Sequence, residues 1–127
     1  MQPCFSPVWD TALAVNALAE SGFPASHAGL ARAAAWLLDR RGNAAGDWRA
    51  KNREVEHAGW YFEYANPFYP DCDTTSQVIT ALCKVAPPDP QLSARIRSAV
   101  FEAHTWHLMM QNRDGGWGAF DRECGRE

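Results

Sequence analysis

The chain has no Lys/Arg cluster, no cysteine pair at metal spacing, and no apolar run long enough to cross a membrane. Each absence removes a class of function. With a net charge of −3 from 12 basic and 15 acidic residues, it lacks the basic footprint of a nucleic-acid binder. Its four cysteines, Cys4, Cys72, Cys83 and Cys124, form no C-x-x-C pair and no zinc spacing, so they read as reduced thiols. Its aliphatic stretches fall short of the roughly 20 residues that a membrane helix takes, so no transmembrane helix is expected. Residues 1–10 carry neither the basic start nor the apolar run of a signal peptide. What is abundant is aromatic: six Trp, six Phe and three Tyr in 127 residues. Several of these rings fall in Gly/Asp-rich loops, where a core has little use for them. At 46% hydrophobic and 21% charged the chain is too apolar for disorder and long enough for one domain.

Apolar periodicity predicts four helices. Asp10 is the expected cap of the first, which carries Leu13, Val15, Ala17 and Leu18 and stops at Ser21-Gly22, with Pro24 beyond. Ser26 is the expected cap of the second, with Leu30, Ala33, Ala34, Leu37 and Leu38 at helical spacing. Asp73 or Thr74 is expected to cap the third, with Val78, Ile79, Leu82 and Val85 inward and Pro87-Pro88 as the stop. Asp89 should cap the fourth, with Pro90 in its first turn and Leu92, Ile96, Val100 and Ala103 as the stripe. Residues 42–70 give no hairpin signal and read as an ordered aromatic loop; loops of that length inside compact domains commonly carry function.

The four helices are two copies of one unit. Asp10-Thr11-Ala12 corresponds to Thr74-Thr75-Ser76, and Ala35-Trp36-Leu37 corresponds to Thr105-Trp106-His107. Each copy ends in a Gly-x-Trp loop, Gly46-Asp47-Trp48 and Gly115-Gly116-Trp117. A helix–turn–helix–loop repeat of this length means stacked helical hairpins that cannot bury their apolar faces singly. Two units close poorly, so the chain reads as an excerpt of a longer array. The first and third helices, at equivalent positions, should be neighbours in one layer, with the second and fourth in the other.

The run Trp106-His107-Leu108-Met109-Met110-Gln111-Asn112-Arg113-Asp114-Gly115-Gly116-Trp117 resembles the QW repeat of triterpene cyclases. The earlier copy keeps the frame but has Arg41 where the Gln is expected. With Ser6-Pro7-Val8-Trp9-Asp10-Thr11, Gly59-Trp60-Tyr61-Phe62-Glu63 and Asn66-Pro67-Phe68-Tyr69-Pro70-Asp71-Cys72-Asp73-Thr74-Thr75, it resembles the central stretch of squalene–hopene cyclases over essentially the whole chain. The resemblance implies an all-α fold: helical-hairpin repeats forming part of an incomplete α/α toroid. It implies one fragment over 1–127, with repeat one at about 8–48, the aromatic loop at 49–70 and repeat two at about 71–121. It also implies an intramolecular cyclase acting on squalene or a related polyprenyl substrate, with no cofactor and no metal. Such an enzyme is peripheral on the cytoplasmic side of the membrane, and a homodimer is one assembly the resemblance allows. The isolated 127-residue chain is expected to be inactive.

Protonating an alkene takes a neutral carboxylic acid, kept neutral by burial and relieved by donors aimed at the carboxylate it leaves behind. A helix N-terminus supplies the donors. An Asp before a helix is common as a cap, and alone that is how Asp73 would read, with Asp71 a turn residue. The resemblance turns the reading round. The family's D-x-D-D-T-A acid motif maps its donor onto Asp73 and a supporting carboxylate onto Asp71, with Cys72, Thr74 and Thr75 completing the motif. The family's third Asp is Thr74 here, which offers a hydroxyl but no charge. A carbocation is steadied by aromatic faces, and the resemblance assigns these to Trp9, Phe62 and Phe120, with Glu63 as a polar neighbour. Trp36, Trp48, Trp106 and Trp117 are expected to be structural, the repeat's Gln bonding backbone and its Trp stacking on that Gln. His104 and His107 stand at i,i+3 but have no convincing third metal ligand. Two alternatives stand beside the triterpene reading: a cyclase of prenyl diphosphates, for which Arg49, Lys51 and Arg53 are the local basic residues, and a helical-repeat remnant without chemistry.

Overall fold

A computed structural model describes residues 5–42, 59–62 and 70–120. These residues form four α-helices: α1 (Pro7–Glu20), α2 (Ala28–Asp39), α3 (Cys72–Cys83) and α4 (Pro90–Met109). Among the described residues the only β pairing is one antiparallel bridge between Gln111 and Trp117. The all-α expectation holds. Most of the 42–70 loop, including Trp48, Arg49, Lys51, Arg53 and Glu63, lies outside the described residues.

Three of the helix starts differ from the sequence reading. α1 begins at Pro7 with Ser6 before it, so Asp10 stands in its first turn rather than at its cap. Proline suits that position because its missing N–H would have no helical partner there. α2 is capped by His27, whose Nδ1 accepts from the Gly29 amide at 3.0 Å, and not by Ser26. α3 is capped by Asp71, two positions before the residue expected. α4 starts as predicted, with Asp89 accepting from the Gln91 amide at 2.9 Å and Pro90 first in the helix. The α1–α2 turn places Gly22 at φ +96, where a side chain would be strained.

The helices make two antiparallel hairpins stacked on each other, with α1 packed most extensively on α3 and α2 against both α1 and α4. Asn16 Nδ2 donates to the Gln77 carbonyl at 3.4 Å, and Lys84 pairs with Glu20 at 2.7 Å. These contacts advance together along both chains, so α1 and α3 run parallel. Val8, Ala12 and Val15 of α1 meet Leu30, Ala34 and Leu37 of α2, Val78, Ala81 and Leu82 of α3, and Ile96, Ala99 and Ala103 of α4 in one core. The stripes foreseen on α2, α3 and α4 are buried or half-buried there. Of the stripe foreseen on α1, Val15 is buried, whereas Leu13 and Leu18 are 41% and 39% exposed. Leu18 instead lines an open apolar groove with Thr11, Ala14, Leu30 and Ala33.

Candidate active site

The N-terminus of α3 is the point on which the rest of the chain converges. Asp71 is buried and extended (φ −115, ψ 150), and its Oδ1 accepts the Thr74 amide at 2.6 Å. This is a side-chain cap, one of the four free amides of the first turn being satisfied by the carboxylate. Burial pushes the Asp71 carboxyl above its usual range, the amide of Thr74 draws it back, and the negative charge of Asp73 adds to the rise. Cys72 next to it is a buried neutral thiol, pushed up to about 12 by burial and by the two flanking aspartates. Asp73 follows in the first turn and is exposed.

Two aromatic segments are fastened to this turn through the backbone. The Asp71 amide donates to the Trp60 carbonyl at 3.0 Å. Thr75 Oγ1, fully buried, accepts from the Trp60 amide at 2.9 Å and donates to the Trp60 carbonyl at 3.3 Å. The Trp60 indole in turn donates to the Leu37 carbonyl at 2.7 Å, tying the last turn of α2 to the first of α3. Gly59 passes so close that a Cβ there would lie 2.9 Å from Thr75 Oγ1, 3.0 Å from the Trp106 ring and 3.1 Å from Pro70. On the other side the Cys72 amide donates to the Ala119 carbonyl at 2.8 Å, bringing the 118–120 segment to the same helix end.

The predicted pocket residues fall as follows. Trp9 and Phe62 are brought together, ring centroids 6.1 Å apart at 55°, an aromatic pair of ordinary tilted geometry. Phe120 follows the Ala119 anchor directly and is 56% exposed. Thr74 and Thr75 are both fully buried, Thr75 as the clamp on Trp60. Glu63 lies outside the described residues. Sequence reasoning missed Trp60, whose hydrogen-bond partner is 23 positions away.

The repeat loop keeps the expected bond from its Gln to the backbone and adds a ring stack that the sequence did not show. Gln111 Nε2 donates to the Gly115 carbonyl at 2.7 Å, closing the turn in which Gly115 takes φ +93. The Trp117 ring stacks on His107, with centroids 5.5 Å apart at 18°, while its indole donates to the His107 carbonyl at 2.8 Å. Leu37 and His107 are equivalent positions of the two repeats, so Trp60 and Trp117 cap equivalent helix ends. Arg41, which replaces the Gln of the first repeat, pairs with Glu102 of α4 and so bridges the two hairpins. The Arg40 guanidinium lies 4.1 Å over the Trp36 ring.

Stacked helical hairpins with indole-capped ends, and an Asp-x-Asp turn at the start of α3, are the make-up of a segment of a terpene-cyclase toroid. Residues 5–127 match the family model of the squalene-hopene cyclase C-terminal domain. The chain belongs to the squalene–hopene cyclase family. It is 43% identical over 120 residues to the squalene–hopene cyclase of Alicyclobacillus acidocaldarius, covering 94% of this chain and 18% of that protein. It is 44% identical over 122 residues to enfumafungin synthase of Hormonema carpetanum, covering 95% of this chain and 9% of that protein. A probable squalene–hopene cyclase of Sinorhizobium fredii is 40% identical over 121 residues, with 94% and 18% covered. The chain therefore spans about a fifth or less of the length of these relatives.

Proposed function

We propose that this segment supplies the acid of a squalene–hopene-type cyclase, with Asp73 as proton donor and Asp71 as its support. The observation that carries the reading is the α3 N-terminus, where a buried, capping Asp71 and the exposed Asp73 share one turn with two tethered aromatic segments. The Asp73 carboxyl O–H gives its proton to a terminal alkene carbon. The π pair forms the new C–H bond and leaves a tertiary cation. Ring closures follow as successive double bonds attack the cation, and loss of a proton or capture of water ends the cascade. The carboxylate left on Asp73 stands in the first turn of α3, whose positive dipole end lowers the cost of its charge.

Burial divides the two roles. Asp71 is the carboxyl that this segment itself desolvates, and its Oδ1 serves as the cap. Asp73 remains open to whatever covers the turn in the whole enzyme, where an apolar substrate would expel water and keep the acid protonated. The Trp9–Phe62 pair and Phe120 then offer aromatic faces to the cation. The substrate is squalene or a related polyprenyl chain, reached from a membrane surface on the cytoplasmic side. Among the described residues no helix is long and apolar enough to cross a membrane. The isolated chain is inactive because its exposed apolar groove and open acid turn belong to a larger enclosure; a homodimer is an assembly of the whole enzyme.

Thr74 in place of a third Asp gives weight to a second reading, a cyclase of prenyl diphosphates, because Asp-x-Asp-Thr-Thr is the run present. Incubating the full-length enzyme with squalene, its epoxide and a prenyl diphosphate, with products resolved by gas chromatography, separates the two. Cyclic product from squalene or its epoxide is expected. Turnover of the diphosphate alone would overturn the triterpene assignment.

A further inference from the structure

His107 lies at the C-terminal end of α4, yet its side chain reaches the acid turn of the neighbouring helix. Its Nε2 is 3.5 Å from Ser76 Oγ. Ser76 donates its own proton to the Cys72 carbonyl at 2.7 Å. A hydroxyl so committed has only lone pairs left, so the imidazole must be the donor, protonated on Nε2. That leaves Nδ1 as the unprotonated nitrogen of a neutral ring, and Nδ1 is buried with no hydrogen-bond partner among the described residues. Trp117 stacks on one face and its indole holds the His107 carbonyl.

The contact bears on Asp73 by helix geometry. Asp73 and Ser76 are three positions apart on α3, so they share a side of its first turns. The titratable groups acting on His107 are Asp73 from α3 and His104 from its own helix. We propose that His107 is a positioning residue for the acid: clamped by Trp117, it holds the Ser76 hydroxyl on the Cys72 carbonyl and presents an uncharged ring to the turn that carries Asp73. An imidazolium in the same place would stabilise the Asp73 carboxylate and empty the protonated form that starts the reaction. Burial, and then the proximity of His104, hold the His107 imidazole below its ordinary value, while Asp73 opposes them. The neutral state is thereby favoured near pH 7.

This inference rests on Asp73 being the acid, so its test has one arm that does not depend on activity. In the full-length cyclase with only its histidine rings isotope-labelled, an NMR titration of His107 is compared with that of the Asp73→Asn variant. Removing the carboxylate should lower the His107 midpoint; an unchanged midpoint overturns the coupling. In the full-length cyclase, His107→Gln keeps a neutral donor and should stay within about twofold of the parent, whereas His107→Phe should lose about tenfold in kcat at unchanged KM. His107→Arg should move the basic limb of the kcat–pH profile to lower pH, which a purely structural contact would not do. Equal losses in Gln and Phe variants, or an unshifted profile with Arg, would overturn the proposal. If the unmodified enzyme cyclises none of the three substrates, the cyclase reading fails, and the titration alone then decides the His107–Asp73 contact.

Discussion

Replacing Trp60 by Phe removes one hydrogen bond and one small piece of a fully buried ring, and both losses can be sized. The indole N–H donates to the Leu37 carbonyl at 2.7 Å inside the core, where no part of Trp60 is exposed. Leaving that buried carbonyl unpaired costs about 1–3 kcal/mol. Phe also lacks two ring carbons that Trp60 buries, at about 0.8 kcal/mol each. The sum is about 2.5–4.5 kcal/mol, a large part of the stability of any domain this size. The damage should be local first, because Trp60 joins the end of α2 to the start of α3 through Leu37, Thr75 and Asp71. Urea unfolding should show the drop in stability. Hydrogen exchange should show lost protection at the Asp71 amide, which bonds the Trp60 carbonyl, before any loss at the middle of α4. A Trp60→Phe variant within about 0.5 kcal/mol of the parent, with the Asp71 amide still protected, would refute the claim that this indole staples the two repeats.

Gly59→Ala should destabilise by about 1–3 kcal/mol, since its new methyl meets Thr75 Oγ1, Trp106 and Pro70 at 2.9–3.1 Å; thermal unfolding reads the shift. Asp71→Ala should cost about 1 kcal/mol from the lost cap, while Asp71→Asn retains it. Because burial raises the Asp71 pKa, the folded chain holds that proton more tightly than the unfolded one. Its contribution is therefore greatest below the ordinary carboxylate range and falls as pH rises to the raised value, a fall that Asp71→Asn should abolish in a pH series of melts. The chain alone should self-associate at micromolar concentration in sedimentation velocity, driven by Leu13, Leu18, Phe101 and Leu108, all exposed; a clean monomer would count against this.

The stripes of α2, α3 and α4 were legible because each helix has one partner-facing side whose period shows in the sequence. α1 was only partly read: Val15 is in the core, but Leu18 lines a groove and Leu13 is exposed, and periodicity alone does not say which apolar face meets which neighbour. Ser6-Pro7 did carry a local signal for the start of α1, and Pro in the first turn is the cue that outranks Asp10. At α3 two aspartates compete for one cap. What separates them is not local: the Cys72 amide is claimed by Ala119 and the Asp71 amide by Trp60, contacts across 47 and 11 positions that no spacing rule reveals. The resemblance named Trp9 and Phe62 one by one, whereas their ring contact, the Trp117–His107 stack and the Trp60 cap required the fold.

The account turns on one proton. Asp73→Asn in the full-length cyclase keeps size and hydrogen bonding while removing the acidic hydrogen. Product formation from squalene and its epoxide, followed by gas chromatography with substrate binding measured in parallel, should fall to background while binding persists. Cyclic product at the parent rate from the Asp73→Asn enzyme would contradict the assignment of Asp73 as the acid.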